Sequence, residues 1–302
     1  MMVVFISKVE TASLRNIENK IVQQAESTPT PEESRRGPEL FHNERRILVE
    51  SEEIRLSQIT PLLPVNLLTS GDYAILSKTG VTNTGPTSVT GDIGTSPSFV
   101  NTSLTGFALV ADSSNAFSTS PLVIGHIYAA DYYAVTSTPT SILTLAVLDM
   151  QNAYIDAALR PNPDFVNLSA GSLNGETLEP GLYRWDTPVS FTNNITFNGS
   201  PTDVWILQVT GNFNAAANTI FTLTGGAQPE NIFWQIAGAI TLGTGSHIEG
   251  VFMTTRSISF ETGSSLNGRA LSQTTVTLDT ATIVNIPSRD RTYLRNVFSP
   301  NA

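Results

Sequence analysis

The stretch Ala239-Ile240-Thr241-Leu242-Gly243 decides the fold, because its pattern returns twice at one fixed interval. It is followed by Ser257-Ile258-Ser259-Phe260-Glu261 and Thr275-Val276-Thr277-Leu278-Asp279, whose central residues are each 18 positions further along. Apolar residues alternate with small polar ones in each segment, which indicates a strand with one buried face. A fixed return interval predicts that such strands stack as successive coils of a solenoid. The central residues then form a ladder spaced by about 4.7–4.9 Å.

Two earlier segments extend this ladder towards the N-terminus. The stretch 212–216 offers Asn214 as its outward central residue, and the stretch 188–192 offers Ser190. The intervals are longer than 18 here, and the extra residues fall in turns rich in Gly, Asn and Pro, where solenoids accept insertions. The residues that flank the predicted column are Thr192, Asn212, Ala239, Ser257 and Thr275.

One helix is expected in an otherwise all-β chain. Thr138 is a suitable N-cap and Pro139 suits the first helical position, so the helix should span about 139–159 and end before Pro161. Its apolar stripe must be buried against another element. The strands 204–209 and 232–236 are apolar without alternation, which predicts that they are covered on both sides. The helix therefore packs on one face of the solenoid, and the alternating segments form the open face.

Charge is unevenly distributed along the 302 residues. Lys and Arg number 16 and Asp and Glu 26, for a net charge of −10, and residues 1–62 hold 18 of these charged side chains. We therefore predict a charged leader at 1–62, disordered or partly helical, a single domain at 63–287 and a tail at 288–302. No cluster of Lys and Arg follows residue 62, which argues against nucleic acid as a partner. Cysteine is absent, which excludes disulfides and thiolate metal sites.

Targeting signals are weak. The apolar start at residues 1–6 is shorter than a secretory hydrophobic region, so either export follows another route or this start is not the natural one. No stretch is apolar enough for a transmembrane helix, so no membrane partner is expected. Asn-x-Ser/Thr sequons permit glycosylation without showing it, at Asn101, Asn167, Asn194 and Asn198.

An enzymatic function is not supported by the motifs. The histidines are His42, His126 and His247, and none has a recognisable metal-ligand spacing. His247 and Glu249 are interpreted as parts of a structural turn, and Asp92 as a turn former. There is no nucleophile elbow and no phosphate-binding loop. We predict no catalytic residues, no cofactor and no metal.

Several segments resemble those of the microbial ice-binding proteins, a family of discontinuous β-solenoid antifreeze proteins from cold-adapted fungi, bacteria and algae. The resemblance runs in order from about residue 66 to 287 and is closest to the fungal branch. It is carried by Ser70–Leu76, Val89–Gly94, Tyr128–Tyr132, Pro180–Trp185, Asp203–Ile206, Asn231–Gln235, His247–Val251 and Leu266–Leu271.

The resemblance implies a right-handed β-helix of triangular cross-section, with the helix along one face and N-terminal strands closing the stack out of sequence order. It implies that one flat face binds ice, giving thermal hysteresis and inhibition of ice recrystallisation. It also implies an extracellular protein that is a monomer or weak dimer. By matching segments, the ice-binding column consists of Thr82, Ser190, Asn214, Thr241, Ser259 and Thr277, with Glu261 and Asp279 at its edge.

A second interpretation comes from a different class of protein. The same scaffold could carry a non-catalytic surface-adhesion or carbohydrate-binding module, because fold alone does not decide function. A glycan binder should show exposed aromatic side chains in a groove, and the ladder segments contain none facing outward. The sequence therefore favours an ice-binding face.

Overall fold

The computed structural model describes residues 62–96, 103–130 and 139–286. The chain divides into two units between Pro61 and Leu62, and all of the described residues belong to the second unit. The predictions for the leader before Leu62, for the tail 288–302, for the N-cap at Thr138 and for the sequon at Asn101 all lie outside the described residues.

Strands dominate the described residues, and they form three sheets. The large sheet contains β1 (Tyr73–Ser77), β3 (Ser88–Thr90), β4 (Asp92–Thr95), β6 (Val110–Ala111), β7 (Ser118–Ser120), β8 (Val123–Ala129), β9 (Phe165–Val166), β11 (Gly181–Trp185), β14 (Trp205–Val209), β17 (Ile232–Ile236), β19 (His247–Thr254), β21 (Ser265–Ser272) and β23 (Thr282–Val284). A three-stranded sheet contains β10 (Thr177–Leu178), β13 (Ile195–Asn198) and β16 (Phe221–Thr224). The ladder sheet has the order β12 (Val189–Phe191), β15 (Phe213–Ala215), β18 (Ile240–Leu242), β20 (Ile258–Phe260), β22 (Thr275–Asp279), β2 (Gly80–Thr84) and β5 (Leu104–Thr105). For the part of the chain that the structure describes, mostly β structure with one long helix is therefore confirmed.

The chain visits the sheets in a regular order. From β11 to β16 it passes twice through the large, ladder and three-stranded sheets in turn, and later strands alternate between the large and ladder sheets. Neighbouring strands are parallel, apart from the pairings of β6 with β7 and of β7 with β8 among the described residues. Parallel pairing follows because each pass re-enters a sheet in the same direction.

N-terminal strands join the sheets out of sequence order. Strand β2 pairs with β22, so that Thr82 lies opposite Thr277, 195 residues away. Strand β1 pairs with both β21 and β4 in the large sheet. Strands from the beginning of the domain thus cover β21 and β22, which lie near its C-terminal end, as the sequence resemblance implied.

Two paired glycines mark the point where the long strands change direction. Gly250 of β19 lies opposite Gly268 of β21, and both have positive φ, at 116° and 147°. Before Gly268 strand β21 pairs with β23, and after it the same strand pairs with β1. A Cβ atom on Gly268 would lie 1.8 Å from the carbonyl oxygen of Gly250. Only glycine fits at this position, because it lacks a Cβ and tolerates positive φ.

The long helix α1 (Pro139–Ala158) packs on the large sheet, and it ends one residue before the predicted Leu159. Strands β14 and β17 are buried along their whole length, as their unbroken apolar sequences predicted. Trp205 and Trp234 face the main core, whereas Ile206 and Phe233 join a second cluster with the inner side of α1. This second cluster contains Leu143, Ala146, Met150, Ala153 and Ala157 of the helix.

Polar contacts fix both the middle and the end of α1. Asp149 is buried and accepts a hydrogen bond from the backbone N–H of Thr69 at 3.1 Å. The side-chain amide of Gln208 donates to the carbonyl oxygens of Ala157 at 2.8 Å and Arg160 at 3.0 Å. These carbonyls lie at the helix C-terminus, where no intrahelical donor is available. Gln208 therefore caps the helix from the sheet.

Candidate functional site

The six residues of the predicted central column lie in one register across the ladder sheet. Pairing runs from Ser190 to Asn214, then to Thr241, Ser259, Thr277 and Thr82. The longer sequence intervals before Asn214 and Thr241 do not break this register, because the insertions fall between strands. Thr105 of β5 lies opposite Thr82 and extends the column by one residue. Seven residues separated by strand spacings make a ladder about 29 Å long.

All seven column residues project from the outer side of the sheet. Asn214, Thr277, Thr82 and Thr105 are exposed, and Ser190, Thr241 and Ser259 are partly exposed. Their chain neighbours are buried, including Phe191, Phe213, Ile240, Leu242, Ile258, Phe260, Val276, Leu278 and Val81. Because side chains alternate across a strand, an apolar residue on either side of each polar one drives the polar side chain outward. The sequence alternation is therefore what builds the face.

Thr105 and Ser172 are the members of this region that sequence reasoning missed. Thr105 belongs to a strand of only two residues, too short for alternation to be visible. Ser172 forms an isolated parallel bridge with Ser190 at the other end of the ladder. The sequence signal for Thr105 is the apolar residue directly before it, Leu104. In the structure Leu104 is buried and Thr105 is exposed.

The five flanking residues predicted from sequence lie at the sides of the column, where the surface is less even. Asn212, Ala239, Ser257 and Thr275 line a shallow depression together with Arg256. Thr192 lies on the opposite side, and its hydroxyl donates to the Asn174 side-chain oxygen at 2.9 Å. The regular part of the surface is therefore the central column, and the flanks form its borders.

Side-chain hydrogen bonds between strands hold these borders in place. The Asn212 side-chain oxygen accepts the backbone N–H of Ala239 at 3.0 Å, which joins two successive strands. On the other border the Asp279 carboxylate accepts the hydroxyl of Thr262, and Glu261 accepts the backbone N–H of Thr244 at 3.3 Å. The acidic side chains at the edge are thus engaged with neighbouring turns. No Lys or Arg occupies the column itself.

His247 and Glu249 are not in a turn, contrary to the interpretation from sequence. Both belong to strand β19, with side chains on the same side two residues apart. The His247 Nε2 lies 2.9 Å from Glu249 Oε1, and its Nδ1 lies 2.8 Å from the Ser265 hydroxyl. Asn267 donates to the same carboxylate at 3.0 Å. The interpretation as a structural turn is therefore wrong, because strand β19 continues through Gly250, where the backbone has positive φ.

Asp92 also lies at a strand rather than in a turn. It begins β4, and its carboxylate accepts the backbone N–H of His126 at 2.8 Å. Within the described ranges no group of three or more His, Cys, Asp or Glu residues is arranged to hold a metal ion. No helix in that part of the chain has both the length and the apolar character needed to cross a bilayer.

We predict a pH-dependent contribution of His247 to stability. The hydrogen bond that the His247 imidazole donates to the Glu249 carboxylate raises the pKa of His247, and burial opposes this shift only in part. A raised pKa means that folding favours the protonated imidazole. The stabilisation of the folded state by His247 is therefore complete below the ordinary pKa of about 6.5. It is lost as pH rises through the higher folded pKa. The difference in melting temperature between the wild type and His247→Gln should therefore shrink between about pH 6 and pH 8.

Glu249→Gln provides the control for this prediction. The substitution keeps a similar side chain but removes the negative charge that stabilises the imidazolium. In that background, His247→Gln should lower the melting temperature by an amount that no longer depends on pH. An unchanged pH dependence in both backgrounds would show that another group titrates.

Comparison with known proteins places this geometry in a family. The model of the ice-binding-like family matches residues 75–284, more than two thirds of the chain. The chain belongs to the ice-binding-like family. An ice-binding protein of Flavobacterium frigoris (strain PS1) is 46% identical over 221 residues, covering 72% of this chain and 75% of that protein. An ice-binding protein of Leucosporidium sp. (strain AY30) is 45% identical over 222 residues, covering 73% and 83%.

Solved structures of the ice-binding-like family agree with the fold. The structure of an ice-binding protein from an Arctic yeast matches with a TM-score of 0.71 and 43% identity, covering 74% of this chain and 96% of that one. The family predicted from sequence is therefore confirmed. Fungal and bacterial relatives match at nearly equal identity, so the family membership does not depend on one lineage.

Proposed function

We propose that this chain binds ice through the ladder face and so acts as an antifreeze protein. The observation that carries the proposal is the register of the column, in which six small polar residues chosen from sequence lie on six neighbouring strands. Relatives that match most of the domain are themselves ice-binding proteins. Ice is a repeating surface of water, and a repeating array of hydroxyl and amide groups is the form of site that matches it.

The chemistry of the column suits ordered water. Each threonine presents a methyl group beside a hydroxyl, so that water can order around the methyl while the hydroxyl anchors it. One such hydrogen bond contributes only about 0.5–1.5 kcal/mol net. Binding therefore requires many contacts made at once, and seven residues in register provide them.

Rigidity beneath the face allows those contacts to form together. Phe191 and Phe213 lie directly under the ladder, with ring centroids 5.0 Å apart, and Trp234 packs edge-on against Phe213 at 4.9 Å. Because this aromatic core fixes the strands before binding, little conformational entropy remains to be lost on the ice surface. Adsorbed molecules then curve the ice front between them, and growth stops until the temperature falls further.

The sheet topology supports a particular shape for the domain. The proposed shape is a right-handed β-helix of triangular cross-section, with the ladder sheet as one side and α1 along the side made by the large sheet. The support is the repeated passage through three sheets by parallel strands, because connections between parallel strands are right-handed in about 98% of cases. A flat side follows naturally from this shape.

Ice binding involves no chemical reaction, so the proposed function needs no catalytic group or cofactor. The proposal also places the protein outside the cell, where ice forms first, and gives it a role in cold adaptation. The carbohydrate-adhesion alternative gains no support, because none of the seven column residues is aromatic. Saccharide rings are commonly bound by stacking on aromatic side chains, so this face lacks the expected platform.

Ice affinity provides the direct test. The fluorescently labelled full chain is applied to a growing hemisphere of single-crystal ice, and the frozen surface is imaged. We expect fluorescence on defined crystal planes, whereas labelled serum albumin should be excluded with the solutes. In parallel, the chain is mixed with insoluble chitin and cellulose. Exclusion from ice, or retention on a polysaccharide instead, would contradict the proposal.

A further inference from the structure

The outward side of α1 carries an unusually apolar stripe. Four large aliphatic side chains on it, Ile142, Leu145, Leu148 and Ile155, are exposed by 48–51%, and Leu159, directly after the last helical residue, continues the stripe with 73% exposure. Asn152, also exposed, completes the stripe between Leu148 and Ile155. These six positions are separated by three or four residues, so they follow one face of the helix. The inner face of the same helix is already buried on the large sheet.

This stripe is also without charge, although the protein as a whole is acidic. Between Pro139 and Ile155 the helix contains one charged residue, Asp149, which is buried and bonded to Thr69. Asp156 lies beyond that stretch and forms an ion pair with Arg160 at 2.9 Å. A net charge of −10 should make copies of the chain repel one another. The helix surface is therefore a place where two copies can approach without opposing like charges.

The order of residues in the stripe is nearly the same in both directions. About a centre near residue 150, position 142 corresponds to 159, position 145 to 155, and position 148 to 152. A two-fold contact between antiparallel helices places each position against its counterpart in the second copy. Leu145 would then meet Ile155 of the second copy, and Ile142 would meet Leu159 of the second copy. Every large aliphatic except Leu148 would thus meet another aliphatic.

We propose that the outward stripe of α1 is a homodimer interface, in which the helices of two copies pack antiparallel about a two-fold axis near residue 150. A second copy fits the stripe because an apolar, uncharged and self-complementary pattern is what an isologous contact requires. The helix lies on the large sheet, whereas the column lies on the ladder sheet. Dimerisation therefore leaves both ladders uncovered. If the proposed function holds, each particle carries two ice-binding faces, and their linkage increases retention on ice.

Sedimentation equilibrium of the full chain tests the interface without reference to ice. The monomer mass is 32.4 kDa, and we expect the wild type to approach twice that value as concentration rises. Leu145→Glu should weaken dimerisation by about tenfold or more, because the new carboxylate would be desolvated against an aliphatic side chain. Ile124→Glu is the matched control, since Ile124 is 74% exposed but belongs to strand β8 and not to the helix stripe. That variant should dimerise like the wild type.

A charge-rescue experiment tests the antiparallel register. Leu145→Glu and Ile155→Lys should each be monomeric alone, because each homodimer contains two unpaired charges against aliphatic groups. Mixed together, they should form a heterodimer with one new ion pair and one unchanged Leu145–Ile155 contact. A wild type that remains monomeric, a Leu145→Glu variant that still dimerises, or a mixture without heterodimer would overturn the proposal. Cross-links from the stripe to a segment of the same chain would overturn it as well. None of these outcomes depends on ice binding.

Discussion

Replacing Thr241 and Thr277 together by tyrosine is expected to reduce thermal hysteresis about tenfold or more. These residues lie on either side of Ser259 in the column, so both substitutions fall in the middle of the ladder. A phenol ring stands well above the hydroxyl and methyl groups of its neighbours and holds the face away from the ice. Losing two or more hydrogen-bonded contacts of about 0.5–1.5 kcal/mol each is enough for a tenfold loss of affinity. Nanolitre osmometry measures the effect.

The fold should survive this double substitution. Both side chains project outward from strands, and tyrosine is a good strand former. The three-stranded sheet offers a matched control, because Thr196 and Thr222 also face outward and lie opposite each other. Thr196→Tyr with Thr222→Tyr should leave thermal hysteresis near the wild-type value. Equal losses in both double variants, with circular dichroism unchanged, would mean that the ladder sheet is not the ice-binding face.

Replacing Gly268 by alanine is expected to destabilise the domain by about 4 kcal/mol or more. The added Cβ would lie 1.8 Å from the carbonyl oxygen of Gly250, so the backbones of β19 and β21 must separate. A positive φ of 147° adds strain for any residue with a Cβ. Both strands continue into the core at Phe252 and Ala270, so the displacement cannot be confined to the surface. Urea unfolding followed by circular dichroism measures the loss.

Gly175→Ala is the appropriate comparison. Gly175 also has positive φ, at 76°, but no atom lies within 4 Å of the position that its Cβ would take. Alanine there should cost only about 1–2 kcal/mol, the penalty for the left-handed backbone alone. If both variants lost the same stability, the contact between Gly250 and Gly268 would have no special role. A much larger loss for Gly268→Ala shows that the close approach of the strands is the constraint.

The parts of the fold that repeat locally could be predicted from the sequence. The 18-residue return of Thr241, Ser259 and Thr277 gives both the strand and its register, because a solenoid turns a sequence period into a spatial one. Helix α1 is equally local, since its spacing and the prolines after it define its limits. The largely apolar sequences of β14 and β17, which lack alternation, correctly indicated cover on both sides, and the one polar residue in each strand, Gln208 or Gln235, is buried as well.

Features that depend on distant pairing could not be derived in this way. Thr82 entered the column only through family resemblance, because nothing near it in the sequence shows that β2 lies against β22. Thr105 was missed for the same reason, and its strand is too short to show a period. His247 was interpreted as part of a turn, whereas it begins a strand that continues through Gly250 at positive φ. The conformational preference of a glycine in the sequence does not show which distant strand will pack against it in the fold.

The pairing of β2 with β22 has a consequence for how the protein is made. Thr82 leaves the ribosome 195 residues before Thr277, the residue it must lie against. At about 5–20 residues per second, the first strands wait about 10–40 s for their partner. During that interval the apolar side chains of β1 and β2 have no permanent cover, and their open edges can aggregate. Biosynthesis of this protein should therefore depend on chaperones. Recombinant yield should rise when synthesis of the whole domain is completed before the early strands misfold.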